Sequence, residues 1–370
     1  MRIGYVYDAV HPWETGGVQK RVWEVARRLA ENHDVHWFGL HYWDGPAVTE
    51  RDGVVLHGVG SPRNLYVDGR RSIPEALSYS RQLVRPLLGE QFDVVDCQEF
   101  PYFPCFPSKF QSLLRGSTLL LTWHEVWGDY WYEYLGRKGW FGKTVERLTA
   151  LLPDAHVAVS KRTRNDLAEL GVSDAHLVPN GIDIEGIRSV DPVDREVDVL
   201  FVGRFIEEKN ADIVVRGVAE LREDRPDVQC VLVGDGPERD ALNSLVERLD
   251  VASNVSLAGR LQQHEEVIGL MKAADVLALP SRREGFGITA LEALACGTPV
   301  VTISHPQNAA QELLKDGVTG AICDATPEAV ADGIRRSRTG LSARDCIETA
   351  KTYDWDRIAR RLEAIYREVS

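Results

Sequence analysis

The chain has 370 residues, of which 44% are hydrophobic and 27% charged, a composition typical of globular proteins and unlike that of disordered ones. Its length favours two domains, because single hydrophobic cores stop growing below this size. The net charge of −13 argues against a general nucleic-acid-binding protein, because such proteins normally carry a basic surface. Six cysteines without a C-x-x-C pair suggest neither a disulfide framework nor a zinc cluster, so we expect a cytoplasmic location.

The first half of the chain alternates strand and helix signals. "RIGYVYD" (2–8) reads as a strand, apolar residues at helical spacing follow between Val18 and Leu29, and "DVHWFGL" (34–40) reads as a second strand. Strand, helix, strand is the repeating unit of a parallel sheet. Further strands are predicted at "FDVVDC", "TLLLTW", "AHVAVS" and "AHLVPN".

The second half repeats this architecture after a polar stretch, Glu185 to Asp198, which has no periodicity and is the best candidate for an interdomain link. Strands are predicted at "VDVLFVG", "VQCVLVG", "NVSLAG", "DVLALPS" and "TPVVTI", with helices between them and a last run of helices. We therefore predict an α/β protein with two doubly wound, Rossmann-like domains facing each other across a cleft. Ligands of such sheets bind outside the carboxyl ends of the strands. The amino terminus lacks a signal-peptide core, and no apolar run is long enough to span a membrane.

The stretch "SRREGFGITALEALACGTP" (281–299) places Glu284 before a predicted helix and Glu292 inside it. If both were helical, eight positions would set them about 80° apart, so they would not share a face. This favours two carboxylates that reach different parts of one extended ligand. The first amides of a helix are unpaired and bind anions, while glutamates accept hydrogen bonds from hydroxyls. The pattern suits a ligand with phosphates and sugars, and the amides concerned are those of Gly285, Phe286, Gly287 and Ile288.

Over nearly its whole length the chain resembles the retaining glycosyltransferases of the two-domain GT-B fold, in the group called family 4. Each shared motif is weak alone, but their order and spacing are specific. They are Gly16-Gly17, "TWH" ending at His124, "AVSK" (158–161), "VPNGID" (178–183), "FVGRF" through Lys209, "VLVGDGP" (231–237), "LAGRL" (257–261) and the E-x7-E pair.

The resemblance implies an acceptor-side domain over residues 1–184 and a domain over residues 185–353 that binds the nucleotide-sugar donor. The amphipathic segment 354–370 should cross back and pack on the first domain. In such enzymes the donor is a substrate, here a UDP- or GDP-sugar, and no metal or other cofactor is required.

The resemblance also implies roles for single residues of the second domain. Arg204 and Lys209 would hold the donor diphosphate, and Glu284 would accept hydrogen bonds from the donor sugar. Glu292 would hold the ribose hydroxyls. The backbone near Arg260 and Leu261 would meet the base.

In the first domain, Gly16 and Gly17 would bring backbone amides to the phosphates, and His124 would touch the transferred sugar. The catalytic set implied is His124, Glu284, Arg204 and Lys209. The family retains the anomeric configuration by front-face substitution, in which the departing phosphate takes the acceptor's proton, and it has no agreed enzymic nucleophile. The implied function is transfer of a hexosyl residue to a hydroxyl of a glycan or lipid-linked acceptor.

Two other functions stay open. One is a different reaction of a GT-B enzyme on a nucleotide sugar, such as epimerisation or hydrolysis. The other is a non-catalytic subunit that binds nucleotide sugars. The first usually depends on other acidic residues, and the second would be signalled by loss of Arg204, Lys209 or Glu284, all of which are present.

The acceptor side is predicted from an aromatic segment, 123–141, with four tryptophans, three tyrosines and a phenylalanine among charged residues. Tryptophan and tyrosine favour sugar faces and membrane interfaces alike. One interpretation is an acceptor surface that, with Arg137, Lys138 and Lys143, lies on lipid headgroups at the cytoplasmic face of a membrane. The other is an ordinary amphipathic helix pair. The segment "DVVDCQEF" (93–100) departs from the family's usual histidine-containing run, so the acceptor loop is individual to this chain.

Two further motifs carry less weight. "GDGPER" (234–239) lacks the third glycine of a dinucleotide-binding fingerprint. "DWD" (354–356) matches a metal-binding D-x-D motif of another transferase fold, but its position before a helical segment is typical of a helix cap. We therefore predict no metal site.

Overall fold

The computed structural model describes residues 1–14, 16–62, 65–67 and 70–370. These residues form two compact units. The first unit takes Met1–Asn180 together with Trp355–Ser370, and the second takes Gly181–Asp354. The boundaries expected from the sequence, 184/185 and 353/354, fall within a few residues of this division.

The first unit contains a mixed sheet of eight strands and a separate two-stranded ribbon. Its strands are β1 (Arg2–Val6), β2 (Asp34–Gly39), β3 (Val48–Arg51), β4 (Val54–Gly58), β5 (Tyr66–Val67), β6 (Arg70–Arg71), β7 (Val94–Gln98), β8 (Thr118–Trp123), β9 (Ala155–Ala158) and β10 (His176–Leu177). The order across the large sheet is β10-β9-β8-β7-β1-β2-β4-β3, and only β3 runs antiparallel to its neighbour. The ribbon pairs β5 with β6.

Six helices connect these strands. They are α1 (Gly17–Leu29), α2 (Ile73–Leu88), α3 (Cys105–Arg115), α4 (Tyr130–Leu135), α5 (Gly139–Thr149) and α6 (Lys161–Glu169). Helix α1 buries Val22, Val25 and Leu29 along one stripe, as its sequence spacing predicts. Helix α2 begins where the Ser72 side chain accepts a hydrogen bond from the Glu75 amide, which satisfies one of the unpaired donors of its first turn.

The second unit contains a six-stranded sheet in which every pairing is parallel. Its strands are β11 (Val197–Val202), β12 (Cys230–Val233), β13 (Val255–Gly259), β14 (Ala274–Leu279), β15 (Val300–Ile303) and β16 (Gly320–Cys323), in the order β13-β12-β11-β14-β15-β16. Its helices are α7 (Ile184–Ser189), α8 (Ala211–Asp224), α9 (Arg239–Arg248), α10 (His264–Ala273), α11 (Ile288–Ala295), α12 (Pro327–Arg338) and α13 (Ala343–Ala350). Both units are doubly wound α/β sheets, so the predicted fold class is confirmed.

The final helix, α14 (Trp355–Val369), belongs to the first unit. It buries Trp355, Ile358, Leu362 and Tyr366 in that unit's core. This spacing of three or four residues places them on one helical face. Complete burial of a large apolar side chain stabilises a fold by about 1.5 to 3 kcal/mol, so this helix contributes substantially to the first unit.

Several short elements were missed in the sequence analysis. The stretch from Glu185 to Asp198 is not irregular throughout, because α7 occupies Ile184–Ser189 and Asp183 caps it by accepting a hydrogen bond from the Gly186 amide (3.0 Å). The hairpin of β3 and β4 and the short strand β16 were not predicted. Strand β16 is only Gly320–Cys323, too short for a periodic signal.

Among the helices of the described ranges, none combines the length and the hydropathy needed to cross a bilayer.

Candidate functional site

Strand order reverses at β11 in the second unit, which pairs with β12 on one side and with β14 on the other. The carboxyl end of such a switch point is where doubly wound sheets bind ligands. Two hydrogen bonds join the loops that follow β11 and β14: the Arg282 amide donates to the Glu208 carbonyl (2.8 Å), and the Asn210 side chain donates to the Pro280 carbonyl (2.9 Å). The two loops that carry Arg204, Lys209 and Glu284 are therefore held together.

Lys209 and Glu284 form an ion pair between Nζ and Oε1. The same carboxylate oxygen accepts a hydrogen bond from the Ser281 hydroxyl (3.2 Å). Only 16% of the Lys209 side chain and 15% of the Glu284 side chain are exposed. Lys209 and Glu284, which the sequence assigns to different parts of one ligand, thus contact each other. An anionic ligand that accepts a hydrogen bond from Lys209 would compete with the Glu284 carboxylate.

Arg204 lies two residues after the end of β11 and is exposed. Its carbonyl accepts a hydrogen bond from the Ile206 amide (3.0 Å), which fixes its backbone. Within the described ranges its guanidinium forms no ion pair or hydrogen bond. The group is available to an anionic ligand at this edge of the sheet.

Helix α11 begins at Ile288, immediately after Gly287, as predicted. No side chain caps it, and no backbone carbonyl of the described residues accepts from the amides of Gly285, Phe286 or Gly287. These amides and the positive end of the helix dipole provide donors for an anion. Phe286 is buried and packs edge-on against Tyr353, with ring centroids 6.0 Å apart, which fixes the loop.

Gly287 adopts a left-handed conformation with a φ of 95°, and a Cβ added there would lie 2.6 Å from the Cβ of Ala310. We expect Gly287→Ala to lower the free energy of unfolding by about 2 to 3 kcal/mol, because strain and a clash add together. Gly317→Ala is the matched control, since Gly317 has a φ of 72° but nothing within 4 Å, and it should cost about 1 kcal/mol. Urea unfolding curves measure both, and equal losses would contradict the steric argument.

The backbone of Glu284 is held by the loop after β15. Its amide donates to the Gln307 carbonyl (2.9 Å), and its carbonyl accepts from the Ala309 amide (2.9 Å). Asn308, between these two residues, is fully buried and donates to Thr302 Oγ1 (3.0 Å) and to the Ile303 carbonyl (2.9 Å). Asn308 therefore fixes the position of Glu284, a role that no motif in the sequence signals.

Glu292 lies inside α11 and is buried, with 5% of its surface exposed. Its Oε1 oxygen is 3.1 Å from Nε2 of His264, the first residue of α10. Arg260, Leu261 and His264 all follow β13, so Glu292 faces the loop that the sequence assigns to the base. His264 was not predicted as part of the site.

The "GDGP" loop after β12 has a packing role. A Cβ on Gly234 would lie 1.8 Å from the Gly203 carbonyl oxygen, and a Cβ on Gly236 would lie 2.4 Å from the Phe205 carbonyl oxygen. Both glycines have φ values that side chains rarely adopt. They are required because this loop packs directly on the loop that carries Arg204.

His124 belongs to the first unit and directly follows β8. Its Nε2 lies 2.9 Å from Oε1 of Gln98, and the Thr163 hydroxyl donates to its carbonyl (3.2 Å). Burial, with a smaller effect of the Arg21 guanidinium, lowers the pKa of His124 to about 3, so the imidazole is neutral at physiological pH.

Gly16 and Gly17 also belong to the first unit and are exposed at the start of α1. The φ of Gly16 is 173°, an extended conformation open to any residue. A Cβ there would approach the side-chain amide of Gln19 at 2.9 Å, the end of a flexible side chain. Backbone conformation therefore does not require glycine at this position.

Glu99, next to Gln98, is a buried acid that the sequence did not single out. One carboxylate oxygen accepts from the Glu125 amide (3.3 Å), and the other is buried with no partner in the described ranges. Burial raises the pKa of Glu99 to about 8, against hydrogen bonds that lower it. The native state therefore keeps this proton up to about pH 8, whereas the unfolded chain releases it near the ordinary value.

We predict that Glu99→Gln gains stability relative to the original chain as the pH rises from 6 to 8. Over this range the unfolded state binds fewer protons at Glu99 than the native state, so the free energy of unfolding falls by up to about 1.4 kcal/mol per pH unit. The glutamine cannot ionise and lacks this loss. Urea unfolding at several pH values measures the difference, with Glu133→Gln, an exposed position, as the control. Parallel pH curves for Glu99→Gln and the original chain would contradict the raised pKa.

The structure thus brings Lys209, Glu284 and the start of α11 together at one edge of the second sheet. Glu292 faces the next loop along that edge. His124, Gly16 and Gly17 lie in the other unit. The cations and backbone amides of the second unit can neutralise an anion. Its carboxylates can accept hydrogen bonds from hydroxyls.

Comparisons with known families cover nearly the whole chain. The profile of the family described as "Glycosyltransferase Family 4" matches residues 15–185, and that of "Glycosyl transferases group 1" matches residues 184–353.

Curated proteins with similar sequences include two bacterial enzymes. A D-inositol 3-phosphate glycosyltransferase of Salinispora tropica is 32% identical over 225 residues, 56% of this chain and 46% of that protein. A GDP-mannose-dependent alpha-(1-6)-phosphatidylinositol dimannoside mannosyltransferase of Mycobacterium tuberculosis is 28% identical over 264 residues, 68% of both chains. The match thus spans about half the length of the first protein and two thirds of the second.

Solved structures share the fold. Sucrose-phosphate synthase of Thermosynechococcus elongatus has a TM-score of 0.79 at 19% identity, covering 100% of this chain and 98% of that one. HepE of Anabaena, solved in complex with UDP, has a TM-score of 0.77 at 18% identity, with full coverage of both chains. These likenesses identify the two Rossmann-like units as a GT-B fold and, at such identities, carry no further conclusion.

Proposed function

Because the chain belongs to the group 1, family 4 glycosyltransferases, we propose that it is a retaining hexosyltransferase that uses a UDP- or GDP-sugar. It moves the sugar to a hydroxyl of a glycan or lipid-linked acceptor. The single observation that carries this proposal is the placement of Lys209 and Glu284 beside the uncapped start of α11, at the switch point of the second sheet.

In the proposed reaction, Arg204, Lys209 and the amides of Gly285–Ile288 bind the donor diphosphate. The bond between the anomeric carbon and the phosphate oxygen breaks, and a bond to the acceptor oxygen forms on the same face of the sugar. The acceptor's proton goes to the departing phosphate. Two cations and a helix start stabilise the charge that develops on that phosphate, so no metal ion is needed in this proposal.

The other residues act on the ends of the donor. Glu284 accepts hydrogen bonds from sugar hydroxyls, and His124 contacts the transferred sugar. Glu292 binds the ribose, the backbone at Arg260 and Leu261 meets the base, and Gly16 and Gly17 bring amides to the phosphates. The buried position of Glu292 next to the β13 loop supports its assignment to the nucleoside end.

A thermal-shift panel of UDP- and GDP-sugars tests the donor class. A ligand that binds only the folded protein stabilises it by about 2.7 kcal/mol at a hundred times its dissociation constant. We expect one nucleotide class to raise the melting temperature, and Lys209→Ala to abolish that rise. No rise with either class would contradict the proposed function.

The first unit carries an unusual apolar surface, which supports a membrane-bound acceptor. Among the residues that the structure describes, eleven of the fourteen exposed large hydrophobic side chains lie between residues 73 and 151. We call these eleven the apolar patch: Ile73, Leu77, Phe106, Phe110, Leu113, Leu114, Tyr132, Trp140, Phe141, Leu148 and Leu151. A contact between Lys109 of α3 and Asp154 (2.7 Å), just beyond α5, shows that these two parts of the patch are neighbours.

Charge around the apolar patch supports an anionic lipid surface as its partner. Residues 73–151 expose six basic side chains but only three acidic ones, in a chain of net charge −13. Exposed Arg137 and Lys138 stand directly before Trp140 and Phe141. Apolar side chains flanked by arginine and lysine bind the interface of anionic membranes.

A small apolar pocket opens beside the patch. Its volume is about 40 Å³. Ile73 and Phe141 of the apolar patch contribute to its walls, together with Phe100 and Trp131. Phe100 follows Glu99 directly and stacks on Trp127, three residues after His124, with ring centroids 5.0 Å apart. The pocket therefore lies close to the end of β8.

Flotation with vesicles tests this part of the proposal. We expect binding to vesicles of phosphatidylglycerol and phosphatidylcholine and weaker binding to phosphatidylcholine alone. The double variant Leu113→Ser, Leu114→Ser should weaken binding about thirtyfold, because each of these exposed leucines contributes about 1 kcal/mol when it enters lipid. Val48→Ser, exposed to 53% outside the patch, is the control. Absence of binding to both vesicle types would remove the membrane acceptor and leave the donor site untouched.

A further inference from the structure

A continuous chain of hydrogen bonds runs from His124 to the final helix. Nε2 of His124 lies 2.9 Å from Oε1 of Gln98, and Nε2 of Gln98 donates to Oδ1 of Asp96 (3.0 Å). Oδ2 of Asp96 accepts from the hydroxyl of Tyr366 in α14 (2.5 Å). Gln98, Asp96 and Tyr366 are each at most 2% exposed. The hydrogen bonds behind His124 are therefore shielded from water.

The ionised carboxylate of Asp96 determines which group donates and which accepts in each of these hydrogen bonds. An ionised carboxylate only accepts hydrogen bonds. Asp96 accepts from Tyr366, from the Thr122 hydroxyl (2.9 Å) and from Gln98. Gln98 must therefore turn its NH₂ group toward Asp96 and its oxygen toward His124. Burial raises the pKa of Asp96 to about 6, so the group is ionised at and above neutral pH.

The orientation of Gln98 determines where His124 carries its proton. An amide oxygen accepts and cannot donate, so the Nε2 of His124 must be the protonated nitrogen. In a neutral imidazole the other nitrogen, Nδ1, then bears a lone pair. Nδ1 has no hydrogen-bond partner in the part of the chain that the structure describes. The residue is only partly buried, although Gln98 behind it is enclosed.

We propose that Gln98 is a positioning residue that holds His124 as the Nε2–H tautomer, so that Nδ1 accepts a hydrogen bond from a hydroxyl of the bound sugar. The tautomer follows from the hydrogen bonds and from the ionised state of Asp96, and only the identity of the hydroxyl rests on the proposed function. Tyr366 and Asp96 act indirectly: Tyr366 donates to Asp96, and Asp96 accepts from the Gln98 amide and so orients it.

The first experiment reads the tautomer directly. Long-range ¹H–¹⁵N spectra of the full chain with labelled histidine, at pH 7.5, distinguish protonated from bare ring nitrogens, and His124→Gln assigns the signal among the ten histidines. We expect a neutral ring with its proton on Nε2. A charged ring, or one protonated on Nδ1, would overturn the proposal whatever the activity.

The second experiment changes Gln98. Gln98→Leu removes the acceptor, and we expect a mixture of tautomers and a kcat at least tenfold lower for release of UDP or GDP from the donor sugar that the thermal-shift panel identifies. The dissociation constant for the sugar-free nucleotide should stay unchanged. Gln98→Glu keeps an oxygen toward Nε2 and, in the form that carries a proton on the oxygen facing Asp96, should restore the tautomer and much of the rate. Gln111→Leu, at another fully buried glutamine of the first unit, is the control and should leave the His124 signal unchanged.

The outcomes separate the two parts of the proposal. If Gln98→Leu mixes the tautomers but the rate is unchanged, the contact between Nδ1 and the sugar is refuted while the tautomer assignment holds. If Gln98→Leu leaves the tautomer fixed, Gln98 is not the positioning residue. If that variant does not fold, the spectrum of the original chain together with Tyr366→Phe still decides, because loss of the Tyr366 hydroxyl should loosen the Gln98 amide and mix the tautomers.

Discussion

Lys209→Ala should lower the rate of sugar transfer by about a hundredfold to a thousandfold, the range found when one group that stabilises developing charge is removed. The ammonium faces the loop beside the uncapped start of α11, and in the proposed reaction it stabilises the charge on the departing phosphate. Binding of UDP or GDP should weaken as well. Steady-state kinetics and calorimetric titration with the nucleotide measure both effects.

The fold should survive this change. Only 16% of the Lys209 side chain and 15% of the Glu284 side chain are exposed, so loss of the ion pair should lower the free energy of unfolding, but Glu284 keeps its hydrogen bond from Ser281. Lys351→Ala is a matched control, because Lys351 pairs with Glu348 (2.7 Å) in the same unit outside the site. An unfolded Lys209→Ala protein would assign Lys209 a structural role.

Glu284→Gln provides a sharper contrast at the same site. It removes the charge that competes for Lys209, so the nucleotide should bind at least as tightly as before while transfer falls. Removing either partner of a purely structural ion pair would instead lower stability and leave nucleotide affinity unchanged. Opposite effects of the two changes on nucleotide affinity would support the proposed division of roles.

Glu292→Ala should weaken binding of UDP or GDP by about tenfold to a hundredfold, because hydrogen bonds to a charged group contribute about 1.5 to 3 kcal/mol each. The carboxylate is buried in α11 and faces the loop after β13, where the proposal sets the nucleoside. Affinity for the ribose-containing nucleotide should fall, while affinity for inorganic pyrophosphate should not. Calorimetry with the two ligands separates these expectations.

The control for Glu292→Ala is His264→Ala, which breaks the 3.1 Å contact but keeps the carboxylate. Because half of the His264 side chain is exposed, its loss should disturb the fold little. We expect nucleotide affinity to change by less than about threefold in this variant, well below the energy of a charged hydrogen bond. Equal losses in both variants would show that the pair, and not Glu292 alone, forms the nucleoside site.

Most of the fold could be predicted because its strands are buried on both faces and read as continuous apolar runs. "TLLLTW" and "VDVLFVG" coincide with β8 and β11. The hairpin of β3 and β4 lies at the edge of the sheet, and three of the four residues of β3 are exposed, so its sequence lacks that signal. Helix α7 has only six residues and was hidden in a polar segment.

The candidate site could be predicted only in part, for a related reason. The motifs that contain Lys209 and Glu284 also predict that both residues follow the ends of strands. In the structure the two side chains contact each other. Gln98 and Asn308 act through buried hydrogen bonds, and Asp96 meets Tyr366 across 270 positions of the sequence. No local pattern encodes a contact at that separation. The positioning groups behind the site therefore required coordinates.

The return of α14 to the first unit has a consequence for synthesis on the ribosome. The second unit is one continuous stretch, so its nascent chain can close its core as soon as it has emerged. Residues 1–180 of the first unit are translated earlier but need Trp355 and Tyr366, which are made after the second unit, to fill the core and to complete the hydrogen bonds of Asp96. The first unit can therefore complete its core only after the second unit has been made.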